Sequence, residues 1–266
     1  MQASGSASPI LLVDIGNTST LLAWMSARGI EGHRRYLRRN GVEANLAEAC
    51  RDLQGKDARA VLLCSVVPEL SGPWLRQLTQ CLQCPGWQLT PGGDMPLEVN
   101  YPEPSRIGAD RLANAIAALA RVPAPLVVAD FGTALTFDIV DEQGAYIGGV
   151  ISPGVEMMYR SLGEKTALLP LLDPKPTDRV IGRSTEEAMH AGSFYGYRGM
   201  VREIVHEIQA QLQVPELRLL ATGGFAAEVL RDFGEAVEVV PDLTLEGLAL
   251  AWSAVTGEEL YDGNTN

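Results

Sequence analysis

The sequence predicts an α/β protein built as two similar lobes, and three observations carry that prediction. A short phrase is written twice, first as Ile10-Leu11-Leu12-Val13-Asp14-Ile15-Gly16-Asn17-Thr18 and again as Leu126-Val127-Val128-Ala129-Asp130-Phe131-Gly132-Thr133-Ala134. Its two aspartates stand 116 positions apart, a spacing of one small domain. After each copy, short apolar runs alternate with amphipathic helical stretches, the pattern of sheets covered by helices. With 266 residues, 46% of them hydrophobic and 20% charged, the chain can bury a substantial core.

Each element follows from its local pattern. Residues 10–13 read as a buried strand, and residues 18–25 as a second strand beyond the Asp-x-Gly turn. A turn at Ala27-Arg28-Gly29 leads into a third strand at 33–37. Residues 43–53 form a helix with Ala44, Leu46, Ala47 and Cys50 as its apolar stripe. A buried strand at 60–67 is ended by Pro68. A helix at 72–81, a short strand at 87–90 and a Pro/Gly-rich loop at 91–105 follow, then an Ala/Leu-rich helix at 111–121. The pattern then restarts, with strands at 126–130, 135–140 and 146–150, a helix at 153–162 and a proline-bearing loop at 168–183. A long helix at 185–212 sets Met200, Val201, Ile204, Val205, Ile208 and Leu212 on one face. A strand at 217–221, a helix at 226–233, a strand at 237–240 and a helix at 243–255 complete the chain. Each half therefore runs strand–strand–strand–helix–strand–helix, with the boundary near Pro123. The expected organisation is a disordered tail at 1–9, a first lobe at 10–122, a second at 123–257 and a tail at 258–266. Both Asp-x-Gly turns would face a cleft between the lobes.

Composition excludes several function classes. The net charge of -12 argues against a nucleic-acid partner, since phosphate backbones call for Lys/Arg surfaces. The run His33-Arg34-Arg35 with Arg38-Arg39 is a local exception, read as a solvated strand edge. No apolar run approaches the length of a membrane span. The Ser/Ala/Gly-rich start lacks the basic and apolar regions of a secretory signal. Cys81-Leu-Gln-Cys84 is a single CxxC, weak evidence for zinc, and His33, His190 and His206 are scattered. Cys50, Cys64, Cys81 and Cys84 are expected as free thiols of a cytoplasmic protein.

Four segments carry candidate chemistry. In Asp14-Ile15-Gly16-Asn17-Thr18 the glycine lets the backbone approach a phosphate and Asp14 could hold Mg²⁺, although an ordinary hairpin turn uses the same residues. The copy at Asp130-Phe131-Gly132-Thr133 weakens the turn-only reading, because one motif then recurs at one place in both lobes. Thr222-Gly223-Gly224-Phe225 joins a strand to a helix, where glycines suit either a tight turn or the close approach of a nucleotide. In Arg106-Ile107-Gly108-Ala109-Asp110-Arg111, Asp110 falls at or just before a helix N-terminus. It is a helix cap or a general base, and on spacing alone the cap is favoured. The helix end would stabilise its ionised form and weaken it as a base. Ser184 and Glu187 have capping-box spacing, so spacing assigns no role to Thr185.

The order Asp14-x-Gly-Asn-Thr, Ser65-Val-Val-Pro68, Gly108-Ala-Asp-Arg111, Asp130-x-Gly-Thr-Ala-x-Thr136, Thr166-Ala-x-Leu-Pro170, Thr185-Glu186-Glu187 and Thr222-Gly-Gly224 closely resembles type III pantothenate kinase, from residue 10 to residue 255. The resemblance implies the actin/acetate-kinase fold, two ribonuclease-H-like lobes with ATP between them. It implies ATP-dependent phosphorylation of pantothenate to 4′-phosphopantothenate, the first step of coenzyme A synthesis, with Asp110 as base on the pantothenate hydroxyl. Tyr101, Gly108, Ala109, Asp110 and Arg111 would hold pantothenate, with Thr185 reaching in from the partner of a homodimer. Asp14, Ile15, Gly16, Asn17, Thr18, Ser19, Thr20 and Leu21 would form the phosphate loop, and Thr133 and Gly223 would touch ATP. Asp130 would bind a monovalent cation, K⁺ or NH₄⁺, used alongside Mg²⁺.

Overall fold

A computed structural model describes residues 8–234 and 236–260. Most of the expected tail at 1–9, and residues 261–266 of the expected tail at 258–266, lie outside them. The elements are β1 (Ile10–Ile15), β2 (Ser19–Ser26), β3 (Gly29–Leu37), α1 (Val42–Leu53), β4 (Ala60–Ser65), α2 (Pro68–Leu82), β5 (Gly86–Gln88), β6 (Glu98–Val99) and α3 (Ala109–Arg121). They continue as β7 (Leu126–Phe131), β8 (Ala134–Val140), β9 (Ala145–Pro153), α4 (Val155–Lys165), α5 (Thr185–Leu212), β10 (Arg218–Thr222), α6 (Ala226–Val229), β11 (Glu238–Val239) and α7 (Leu243–Thr256). The predicted α/β class and its strand–helix rhythm hold. Several boundaries moved: β3 starts at Gly29 rather than at 33, and the short β6 lies inside the expected loop at 91–105. Pro68 opens α2 rather than merely ending a strand, because its fixed φ suits the first turn and no partner is needed there for its missing N–H. The expected helix at 226–233 shortens to Ala226–Val229.

Among the described residues, those up to Ala117 and those from Asp242 form one compact unit, and those from Ala118 to Pro241 form the other. The sequence reading drew a single cut near Pro123 and placed the last helix in the second lobe. That helix, α7, instead packs on β1 and β4 of the first unit. Its Leu243, Leu245, Leu248, Ala249, Ala251 and Trp252 are buried, and periodicity shows such a face without showing which sheet it covers.

In the first unit the sheet order is β3-β2-β1-β4-β5. β1 pairs antiparallel with β2 and parallel with β4. Leu11, Val13 and Ile15 of β1 and Val61 and Leu63 of β4 join the core that also holds Ala49, Leu53, Trp74 and Leu78. Strand alternation turns Asp14 to the opposite face, where Cys64 is its neighbour in register on β4. Cys50 of α1 and Cys81 of α2 form a disulfide, with Cα atoms 6.1 Å apart. This corrects the expectation that all the cysteines are free, which holds only for Cys64 and Cys84. The two helices had to be packed side by side before the pairing could be seen.

In the second unit the strands run in the order β11-β10-β7-β8-β9. β7 is flanked by antiparallel β8 and parallel β10, just as β1 is flanked by β2 and β4. The doubled phrase thus occupies the same position in both sheets. Ala129, Phe131, Leu135, Phe137 and Ala221 bury against Val155, Tyr159, Tyr197 and Val201 of α4 and α5. Among the described residues no helix is long and apolar enough to cross a membrane.

Candidate active site

The first set of predicted residues gathers where β1 and β4 end and α3 begins. After Asp14 the chain turns through Gly16, Asn17 and Thr18 into β2, closed by the Gly16 N–H donating to the Ser19 carbonyl at 2.9 Å. Asn17 and Thr18 are exposed at the turn. Thr20 and Leu21 belong to the ladder, opposite Ile15 and Asp14. The Val66 N–H donates to the Ile15 carbonyl at 3.0 Å, which binds the segment leaving β4 to the end of β1. Cys64 is fully buried between these strands, and burial, Asp14 and Asp110 push its thiol well above the usual range. Both carboxylates therefore lie within electrostatic reach of one neutral sulfur.

Asp110 is the second residue of α3, not its cap. The N–H groups of Arg111 and Leu112 return to the Gly108 carbonyl at 3.1 and 3.3 Å, which makes Gly108 the residue that opens the helix. Asp110 Oδ1 accepts the Arg111 N–H at 2.8 Å. Burial raises the Asp110 carboxyl above the usual carboxylate range, while the Arg111 N–H and the Arg111 guanidinium pull it down. The net direction is upward, so the expected weakening of the base by the helix end is overturned: desolvation outweighs the helix terminus. A Cβ at Gly108 would overlap Asp110 Oδ1 and lie 3.3 Å from Val66 Cγ1. The absent side chain is what lets the carboxyl sit there. Tyr101 lies before α3 and is 40% exposed.

The second set gathers in the other unit. Asp130 is the last residue but one of β7, opposite Thr136 of β8 and Thr222 of β10. Gly223 follows with a φ of +90°, and a Cβ there would fall 2.6 Å from Asp130 Oδ1 and 2.5 Å from the carbonyl carbon of Phe131. The Gly154 N–H donates to the Thr133 carbonyl at 3.2 Å, which holds the exposed Thr133 turn against the start of α4. Thr185 is exposed as the first residue of α5. The Glu187 N–H donates to Ser184 Oγ at 3.1 Å, and the Glu187 carboxylate accepts the Arg183 N–H at 2.7 Å. The capping box is therefore real, with the glutamate reaching one residue further out than expected. Sequence reasoning gave no site role to Cys64 or Gly154, and Val66 enters it only within the Ser65-Val-Val-Pro68 motif. Counting alternate positions along paired strands could have found Cys64, whereas the other two are contacts made only by folding.

The chain matches the family model described as type III pantothenate kinase over residues 10–207. The chain belongs to the type III pantothenate kinase family. It is 40% identical over 241 residues to a type III pantothenate kinase of Akkermansia muciniphila, covering 91% of this chain and 97% of that one. A type III pantothenate kinase of Methylacidiphilum infernorum is 39% identical over 248 residues, covering 91% and 87%. Solved structures show the fold. A Campylobacter jejuni protein described as a candidate Baf-family transcriptional activator aligns with a TM-score of 0.58 at 19% identity, covering 90% of this chain and 94% of that one. A ROK-family glucokinase of Streptomyces griseus, solved with glucose and AMPPNP, aligns with a TM-score of 0.54 at 12% identity, covering 92% and 100%. The α/β fold is thus one that these solved structures share.

The donors fit the ions that the family implies. Asp14 and Asp130 offer hard carboxylate oxygens of the kind Mg²⁺ and K⁺ prefer. Among the described residues no group of three or more His, Cys, Asp or Glu side chains converges.

Proposed function

We propose that this protein phosphorylates pantothenate with ATP to give 4′-phosphopantothenate, the entry step of coenzyme A synthesis. Family membership supports the reaction. The observation that carries the mechanism is Asp110: a carboxylate made more basic by burial, oriented by the Arg111 N–H and given room by Gly108. Asp110 orients the pantothenate hydroxyl and accepts its proton as the phosphoryl group arrives. The loose transition state of phosphoryl transfer asks for that orientation more than for a strong base. Arg111 pairs with the pantothenate carboxylate, with Tyr101, Gly108 and Ala109 beside it. The turn from Asp14 to Thr18, with Ser19, Thr20 and Leu21 behind it, receives ATP phosphates, and Thr133 and Gly223 contact ATP. Asp14 would hold Mg²⁺ and Asp130 would hold K⁺ or NH₄⁺; when bound, these cations would neutralise phosphate charge.

The second unit exposes Ile151 (64%), Leu168 (90%), Leu171 (69%), Val180 (67%) and Ile181 (83%), the last two a few residues before Thr185. This supports a homodimer in which Thr185, next to that segment, reaches the partner's substrate site. One assay tests the reading: ADP release with pantothenate, ATP and Mg²⁺, in K⁺ and then in Na⁺. Pantothenate-dependent turnover that needs K⁺ is expected. Turnover with sugars and none with pantothenate would overturn it.

A further inference from the structure

The basic run His33 to Arg39 has no part in the reaction assigned above, and its contacts are not those of a solvated edge. His33 Nε2 lies 2.8 Å from Asp242 Oδ1. Arg35 Nη1 donates to Ser19 Oγ at 2.9 Å. The Arg38 N–H donates to the Thr18 carbonyl at 2.9 Å, and Arg38 Nη1 faces the Asn17 carbonyl at 3.4 Å. The other end of the same guanidinium, Nη2, donates to Glu69 Oε1 at 3.1 Å, in the first turn of α2. Arg38 is itself fixed: its carbonyl accepts the Gly41 N–H at 3.1 Å, and Asn45 Nδ2 donates to the Leu37 carbonyl at 2.9 Å. The side chains of Arg38 and Arg35 thus hold Asn17 and Ser19, and the backbone N–H of residue 38, which Arg38→Ala would keep, holds Thr18 between them.

An exposed turn containing glycine loses conformational freedom when a ligand orders it, and groups that order it beforehand lower that cost. We propose that Arg35 and Arg38 are positioning residues that pre-order the turn for the phosphates of the nucleoside triphosphate, without touching those phosphates. The side-chain tethers end on the Asn17 carbonyl and on Ser19 Oγ, and the charge of Arg38 is paired with Glu69 in the first turn of α2. The inference rests on the reading of Asp14 to Thr18 as a phosphate loop.

The test compares Arg35→Ala, Arg38→Ala, the double variant, Arg38→Lys and Asp14→Asn with the parent in steady-state kinetics. The double variant is expected to raise KM for ATP roughly tenfold while kcat at saturation changes less than about twofold, the pattern of lost binding that ground and transition states share. KM for pantothenate stays put, and the melting temperature moves by no more than about 2 °C, because both side chains are on the surface. Arg38→Lys is expected to resemble Arg38→Ala, because one ammonium cannot bridge the Asn17 carbonyl and Glu69 as a planar fork does. An unchanged KM for ATP in the double variant overturns the proposal and returns the run to a strand edge. Parent-like Arg38→Lys beside an impaired Arg38→Ala, with a deficit that shrinks as salt rises, also overturns it, in favour of direct charge contact with phosphate. Asp14→Asn separates the two levels. If it leaves ATP kinetics untouched, the phosphate-loop reading itself fails. If it impairs them while the arginine variants do not, only the positioning role fails.

Discussion

Two adjacent glycines should respond in opposite ways to the same methyl group. At Gly223 φ is +90°, and a Cβ would stand 2.5 Å from the Phe131 carbonyl carbon and 2.6 Å from both the Phe131 oxygen and Asp130 Oδ1. At Gly224 φ is not in the left-handed region, and nothing lies within 4 Å of the same added atom. Relief at Gly223 needs a retreat of about 0.8 Å, to an ordinary contact of ~3.4 Å, and most of the atoms in the way are backbone. Backbone strain at positive φ costs about 1–2 kcal/mol and overpacking about 1–3 kcal/mol. Gly223→Ala should therefore lose about 2–5 kcal/mol, which lowers the melting temperature by at least ~4 °C in a chain of this size. Because the retreat pushes on Asp130, K⁺ activation should weaken as well. Gly224→Ala should melt within about 2 °C of the parent and keep its K⁺ response. The checks are thermal unfolding and turnover titrated with KCl. If Gly223→Ala matches Gly224→Ala in both, the close packing of the β10 turn on Asp130 is wrong.

Three more outcomes are expected. Gly108→Ala should cut kcat about 100-fold, the scale of an ångström-sized misplacement of a catalytic group, with little change in melting temperature, because a movable carboxylate yields rather than backbone; parent-like turnover would remove Gly108 from the positioning of Asp110. Asp110→Asn should lower kcat by roughly 10²–10⁴-fold. In the parent, kcat/KM should fall as pH drops through the raised Asp110 value, above the usual carboxylate range. Stability runs the other way. The folded state holds the Asp110 proton more tightly than the unfolded chain, so that contribution is full at low pH and is lost as pH rises through the raised value. Asp110→Asn should therefore melt higher than the parent at neutral pH, and the gain should vanish in acid; a lower melting temperature at neutral pH would count against the burial. Finally, Cys50 and Cys81 are 31 positions apart, and a cross-link of that span stabilises by about 3–4 kcal/mol on the chain-entropy model. Reductant should lower the melting temperature of the parent and leave a Cys50→Ser/Cys81→Ser variant unmoved, with non-reducing peptide mapping as the direct check.

Much of the candidate site was legible because it lies at strand ends. Asp14 and Asp130 each close an apolar run before a glycine, and that pattern placed both at equivalent sheet positions before any contact was known. Ser184 and Glu187 announced the start of α5 by spacing alone, since a capping box is local chemistry. Asp110 was harder. Sequence put it at a helix mouth, where the helix end argues for a well-ionised, weak base, and only the packing that buries it reverses the sign.

What the sequence determined by itself were the features set within a few residues: the α/β rhythm, the doubled turn, the caps, the family motifs and the acidic balance. What tertiary structure decided were features that depend on distant partners. α7 returns to β1 and β4 because its buried face fits that sheet, although it follows the second unit in the chain. Cys50 meets Cys81 because α1 and α2 lie side by side. The arginines of β3 and the residue after it reach back to the turn before β2, so a run that reads as solvated charge becomes the brace of the first Asp-x-Gly turn. Periodicity records which face of an element is apolar or charged; only packing says what that face meets.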